Sequence, residues 1–374
     1  MPELESITVK GFKSIASIED LKLGPINLLI GPNGSGKSNF IEVFEYLRAI
    51  RQGELRNYVE RAGGANRLLH FGSRVTRSMH LHVVFRDQVN EYLIDLEATE
   101  EDGLYPAQES VYFWDRRRYP SGGMGRPLAP HRGEAGISNP ANRGIASYVR
   151  DHMDRWRVYH FHDTSTTSPM KQTGEVDDNR FLRSDGANLA AFLYLLKMRK
   201  EPAYDLIRQT VQLVAPFFED FALEPSRLNP DKIRLEWRHK GTDAYFSAAS
   251  LSDGTLRFIA LATLFLQPDF YRPSVILLDE PELGLHPAAI ALLAALIKQA
   301  PARNVQVIVS TQSSLLLDYF DPEDVLVADR VNGGTQLTRL DSSDLSTWLE
   351  DYSLGQLWEK NELGGRPAPE GSRG

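Results

Sequence analysis

Two hydrophobic rhythms divide this chain. In the first third apolar and polar residues alternate, with Ile7 and Val9 in 6–10, Met79, Leu81, Val83 and Phe85 in 79–85, and Tyr92, Ile94 and Leu96 in 92–96. A period of two marks a strand buried on one face, so these segments predict antiparallel strands. The last two join around Gln88-Val89-Asn90, and Gly11-Phe12-Lys13-Ser14 predicts a turn after the first. From residue 251 onward apolar runs replace alternation. Val275-Ile276-Leu277-Leu278 and residues 305–309 predict strands covered on both faces, as in a parallel sheet. Residues 256–266 are apolar all round and predict a buried helix, and 287–299 predict a helix with Pro287 in its first position. Strands at 325–328 and 337–340 close the ordered core.

The middle is less regular. Residues 119–143 are rich in Gly, Pro and Arg without a period and predict a loop, while Trp156, Val158, Tyr159 and Phe161 predict entry into a strand within 150–161. Residues 186–221 predict two helical pieces broken near Pro202 and Pro216, and 233–237 with 244–246 a strand pair. No internal repeat and no sustained heptad occurs, and residues 364–374 have the composition of a disordered tail.

Composition narrows the class. A hydrophobic fraction of 42% suits an ordinary globular chain of 374 residues, enough for one large domain or two. Net charge of −8 argues against non-specific coating of nucleic acid but leaves room for a local basic groove. Without cysteine, disulfides, thiolate zinc sites and Cys nucleophiles are excluded. The N-terminus lacks the features of a signal peptide, and the most apolar run, 288–297, falls short of the about 20 residues that span a bilayer. A cytoplasmic protein without a membrane segment is expected.

The chemistry starts at Gly31-Pro32-Asn33-Gly34-Ser35-Gly36-Lys37-Ser38, between the apolar stretch ending at Ile30 and the helical pattern of Phe40, Ile41, Val43, Phe44 and Leu47. Strand, glycine loop and helix in that order predict a nest of inward N–H groups for a triphosphate, closed by Asn39 at the helix start. Lys37 reaches the outer phosphates, and the Ser38 hydroxyl is a ligand for Mg²⁺. Asp279-Glu280 follows a buried strand, at the end where open α/β sheets bind ligands. Asp279 is placed to hold Mg²⁺, and Glu280 to orient or deprotonate an attacking water. Ser252-Asp253-Gly254 precedes the buried helix. These residues are either an ordinary N-cap or a second phosphate site at a helix start.

Together these segments resemble the ABC-class ATPases of the SMC, RecF and OLD type. The resemblance rests on the 31–38 loop, Leu251-Ser252-Asp253-Gly254-Thr255 as a signature, Val275 to Glu282, the D-loop-like Leu283-Gly284-Leu285-His286-Pro287, and the switch strand Ile308-Val309-Ser310-Thr311-Gln312-Ser313. Residues 348–367 look like the tail of a compact bacterial subgroup. The resemblance implies an α/β P-loop NTPase head with a mixed sheet, an antiparallel β lobe and a mostly helical or irregular insertion. It implies one head over 1–362, with core 1–114 and 246–345, an inserted lobe at about 115–245 and a tail at 363–374. It also implies ATP and Mg²⁺ as cofactors, and a head-to-tail dimer in which each signature closes over the partner's ATP.

Departures matter too. Gln312 stands where many relatives have His; its amide can hydrogen-bond a γ-phosphate or the lytic water but cannot titrate, so slow or partner-triggered hydrolysis is expected. A Q-loop is not recognisable, though His160-Phe161-His162-Asp163 occupies about the right place; the His-x-His spacing is also compatible with a metal site or a strand edge. Lys13 is either beside the nucleotide or a solvated turn lysine. Without heptads there are no SMC-type arms, and the roughly 60 residues after Gln312 fall short of the roughly 100 of a nuclease domain. Two functions stay open: an ATP-gated switch acting on DNA or a separately encoded effector, as in DNA repair or phage defence, and the ATP-binding subunit of a membrane transport system. Arg116-Arg117-Arg118 between Trp114 and Tyr119, with Arg126, His131, Arg132 and Arg143, is either a DNA-contacting stretch or a solvated loop.

Overall fold

The computed structural model describes residues 3–86, 89–115 and 117–364. Two six-stranded sheets carry the fold. The first is antiparallel throughout, in the order Ile15–Lys22, Leu4–Phe12, Ser78–Phe85, Asn90–Ala98, Leu104–Phe113 and Met124–Pro127. The second runs Gly334–Arg339, Val325–Val331, Ile26–Ile30, Gln306–Thr311, Val275–Asp279 and Trp156–Tyr159, with all neighbours parallel except the first pair. The α/β class, the mixed sheet and the antiparallel lobe are those that the resemblance implies.

Why the apolar runs are continuous is visible in the packing. Along Ile26–Ile30, Leu28 and Ile30 join one core while Leu29 joins the other, and Ile276 and Leu277 divide in the same way. One core is covered by the helices Asp253–Leu266, Pro287–Gln299, Leu189–Met198 and Pro202–Val214. The other holds the helix Lys37–Gln52 between the two sheets, with Phe40, Phe44 and Leu47 fully enclosed. Each such side chain contributes about 1.5–3 kcal/mol by leaving water. That helix stops at Gly53, left-handed at φ 75°, whose N–H returns to the carbonyls of Ala49 and Ile50. The buried Gln306 side chain locks the sheets together, bonding both the N–H and the C=O of Leu4 at 2.8 and 2.9 Å.

Three expectations need correction. Residues 119–143 are not wholly loop: Met124–Pro127 is an edge strand, held by backbone pairing although its side chains are exposed. The 11–14 turn narrows to Lys13 and Ser14, since Gly11 and Phe12 still belong to the first strand. And residues 115–245 do not all stand outside the core, because Trp156–Tyr159 pairs with Val275–Asp279 as the outermost parallel strand. The turn at Gln88 and the tail beyond residue 364 lie outside the described residues. The longest described helix, Lys37–Gln52, has 16 residues, so no coiled-coil arm is present among them. No described helix is long and apolar enough to cross a membrane.

Candidate functional site

The glycine loop leaves the carboxyl end of Ile26–Ile30 and turns into the helix at Lys37. It is braced from behind by two distant segments. Thr335 donates its hydroxyl to the Ser35 carbonyl at 2.9 Å and meets Ser14 Oγ at 2.7 Å, while Asn39 Nδ2 donates to the same Ser14 oxygen at 2.7 Å. A Cβ on Gly36, left-handed at φ 102°, would come within 1.9 Å of Thr335 Oγ1, so this position requires glycine. Lys37 Nζ folds onto the loop, donating to the Gly31 and Pro32 carbonyls at 2.6 and 3.1 Å. Burial lowers its pKa, opposed by Glu280, Asp279 and Glu282. Ser35 Oγ is buried in this cradle without a hydrogen-bond partner, and the space beside Gly34 is open. An orphaned hydroxyl and a buried ammonium on one concave loop fit a polyanion.

The carboxylates meet the loop across two neighbouring strands. Asp279 Oδ1 lies 3.4 Å from Ser38 Oγ and accepts a hydrogen bond from Ser310 Oγ. Two hard oxygens about 3 Å apart are what an octahedral Mg²⁺ takes as adjacent ligands. Glu280 follows at φ 40°, a conformation costing about 1–3 kcal/mol that persists where the surroundings impose it. Its N–H bonds the Ser310 carbonyl at 2.9 Å, and its Oε1 accepts from Gln312 Nε2. The structure thus brings together Lys37, Ser38, Asp279, Glu280 and Gln312 from three separate sequence motifs.

Ser252 is the N-cap of Asp253–Leu266, accepting from Thr255 N at 3.1 Å, as the ordinary capping alternative requires. It is nevertheless exposed, as is Asp253, which lies 3.4 Å from Lys171 Nζ. A Cβ on Gly254 would sit 2.2 Å from the Gly284 carbonyl, so the D-loop-like turn packs directly on this helix start. Among the described residues no hydrogen bond or ion pair joins Ser252, Asp253 or Gly254 to 31–38 of the same chain.

The segment after Trp156–Tyr159 lies beside the carboxylates. Burial lowers the His162 pKa and Asp279 partly restores it, whereas a hydrogen bond to Glu45 raises that of His160. Asp163 turns into its own loop, accepting from Ser165 N and Oγ at 3.0 and 2.7 Å. No group of three or more metal-binding side chains forms among the described residues, there or elsewhere. Arg257, a residue with no role readable in the sequence, ties this segment to the signature helix through bonds to the Phe161 and His162 carbonyls at 2.9 and 3.0 Å. One charge inside the otherwise apolar run 256–266 was the available signal.

Lys13 pairs with Glu42 at 2.5 Å and lines two adjoining cavities, of about 650 and 380 Å³. Arg67 lines both, Tyr58 and Arg61 the first, and Ser14 and Phe71 the second, beside the brace of the glycine loop. Of the basic stretch, Arg116 lies outside the described residues. Arg118 stands over the Tyr119 ring at 5.6 Å, and Arg126 reaches the Arg143 carbonyl at 3.4 Å, both near the outer edge strand.

A family model described as "AAA domain, putative AbiEii toxin, Type IV TA system" matches residues 26–318. Among solved structures, an SMC head bound to the C-terminal winged-helix domain of ScpA is 17% identical, with a TM-score of 0.60 over 92% of this chain and 99% of that one. An SMC head with an extended coiled coil, bound to the C-terminal domain of ScpA and derived from Pyrococcus furiosus, is 15% identical, with a TM-score of 0.56 over 94% and 99%. These likenesses establish the SMC-head, ABC-type P-loop fold. No curated protein matches.

Proposed function

Since this chain belongs to that AAA-domain family of nucleotide-binding ATPases, we propose that it hydrolyses ATP as a switch that closes into a head-to-tail dimer. One observation carries the reading: Lys37, Ser38, Asp279, Glu280 and Gln312 converge at one end of three adjacent parallel strands, while Ser252 and Asp253 of the signature stand exposed and, among the described residues, unbonded to their own glycine loop.

In this reading residues Gly31 to Asn39 hold the phosphates and Lys37 neutralises the outer ones. The cavities beside Lys13 receive the nucleoside. Ser38 and Asp279 would hold Mg²⁺, which supplies charge neutralisation on the phosphate oxygens. Glu280 orients and deprotonates water, and the Gln312 amide fixes the Glu280 carboxylate. Ser252, Asp253 and Gly254 complete the partner's site. Ser252→Arg should therefore leave nucleotide affinity within about twofold, abolish ATP-dependent association in sedimentation velocity, and cut turnover by about tenfold or more. Wild-type association by this variant would remove the dimer from the account.

The switch acts on DNA or on an effector protein. The basic stretch near the outer strand supports DNA. Replacing Arg116, Arg117 and Arg118 together with Ala should spare ATP binding and flatten the salt dependence of DNA binding by up to about 3 log units per log unit of salt. An unchanged slope would place DNA elsewhere.

A further inference from the structure

Glu282 takes no part in the reading so far, yet it is among the most enclosed carboxylates of the chain, 7% exposed. It sits two residues beyond Glu280 in the turn that ends Val275–Asp279. Its Oε1 accepts from the Thr311 hydroxyl at 2.5 Å and from the Gln312 backbone N–H at 3.2 Å. Thr311 Oγ1 in turn accepts from Ser313 N at 3.0 Å, and Ser313 Oγ caps the next helix, Ser314–Leu317, through Leu316 N at 3.1 Å. The second oxygen, Oε2, is buried without a partner.

A buried carboxyl with one oxygen unpaired is a poor way to stabilise a turn; an apolar side chain of that volume would pack without the desolvation penalty. What the carboxyl does provide is directional. It grips the backbone of Gln312 from the same turn that presents Glu280, and Gln312 returns its side-chain amide to Glu280. The loop of contacts runs Glu280, Glu282, Gln312 and back. It fixes the distance between the water-activating carboxylate and the switch amide within one rigid unit, which is how effective sites hold their groups.

We propose that Glu282 is a positioning residue for hydrolysis, clamping the switch segment at Thr311 and Gln312 so that the Gln312 amide and the Glu280 carboxylate share one fixed geometry. This rests on the hydrolytic reading of Glu280 above. Burial pushes the Glu282 carboxyl up, and the hydrogen bonds it accepts from Thr311 and the Gln312 N–H pull it partly back down.

The test compares Glu282→Gln, which keeps the accepting oxygen, with Glu282→Leu, which removes it, in the full chain with Mg-ATP. Expected is a tenfold or greater fall in kcat for Glu282→Leu, with nucleotide Kd within twofold of wild type, and rescue to within threefold by Glu282→Gln. Thr311→Val, which deletes one of the two donors, should lower kcat severalfold on its own. The proposal is overturned if Glu282→Leu turns over within threefold of wild type, if it loses nucleotide binding as well, or if Glu282→Gln falls as far as Glu282→Leu. Should Glu282→Leu fail to fold, wild-type turnover by Thr311→Val overturns it equally. A wild-type protein that binds ATP without hydrolysing it would instead sink the underlying reading, a separate result.

Discussion

Replacing Glu280 with Gln is expected to leave ATP bound and to lower its turnover by about 100-fold or more, about 2.7 kcal/mol of transition-state stabilisation. The substitution separates charge from shape. Gln keeps an oxygen able to accept from Gln312 Nε2, and the backbone N–H bond to the Ser310 carbonyl does not involve the side chain. What disappears is the basic carboxylate. Single-turnover hydrolysis beside equilibrium nucleotide titration reads both parameters. A loss smaller than about tenfold would assign water activation to another group, and His162, which feels the charges of both Asp279 and Glu280, is one titratable alternative.

Lys37→Ala is expected to raise the nucleotide Kd by about 100-fold or more. Removing one partner of a buried charge pair typically costs about 2–5 kcal/mol, and Lys37, buried on the glycine loop, is the cation proposed to meet the outer phosphates. The same change should scarcely alter thermal stability without nucleotide. Burial already penalises the Lys37 ammonium, and its two bonds are to carbonyls of a loop braced independently by Thr335 and Ser14. Calorimetric titration with differential scanning separates the two effects. Normal affinity in this variant would contradict the phosphate assignment, whereas a large drop in Tm would recast Lys37 as a structural residue.

Legibility in the sequence followed locality. Pro287–Gln299 was readable end to end because its start signal and its period lie within 13 residues. Val275–Asp279 was readable because a strand buried on both faces must be apolar throughout. The glycine loop and the two carboxylates after a buried strand were readable because phosphate and metal binding demand those residue types close together. Trp156–Tyr159 escaped as a member of the nucleotide-binding sheet. It has four residues, interrupted by Arg157, and its place depends on a parallel pairing with a strand more than 110 residues away. Met124–Pro127 escaped because an exposed edge strand has no burial pattern to display.

The braces were illegible for the same reason. Ser14 and Thr335 are ordinary hydroxyls 321 positions apart, and only folding shows that Gly36 has no room for a side chain between them. Glu282 was visible as part of the motif, but its grip on Gln312 spans strands separated by 30 positions. In each case the residue type was plain and the partner was not.

The central claim is that each chain carries two incomplete halves of a nucleotide site, and that pairing completes them. The most direct measurement is the mass of Glu280→Gln protein by light scattering with saturating Mg-ATP, with ADP and without nucleotide. The account predicts a doubling of mass with ATP only, undone by adding Ser252→Arg to the same chain. A mass that does not change when ATP is shown to be bound, or a dimer indifferent to nucleotide, would contradict it.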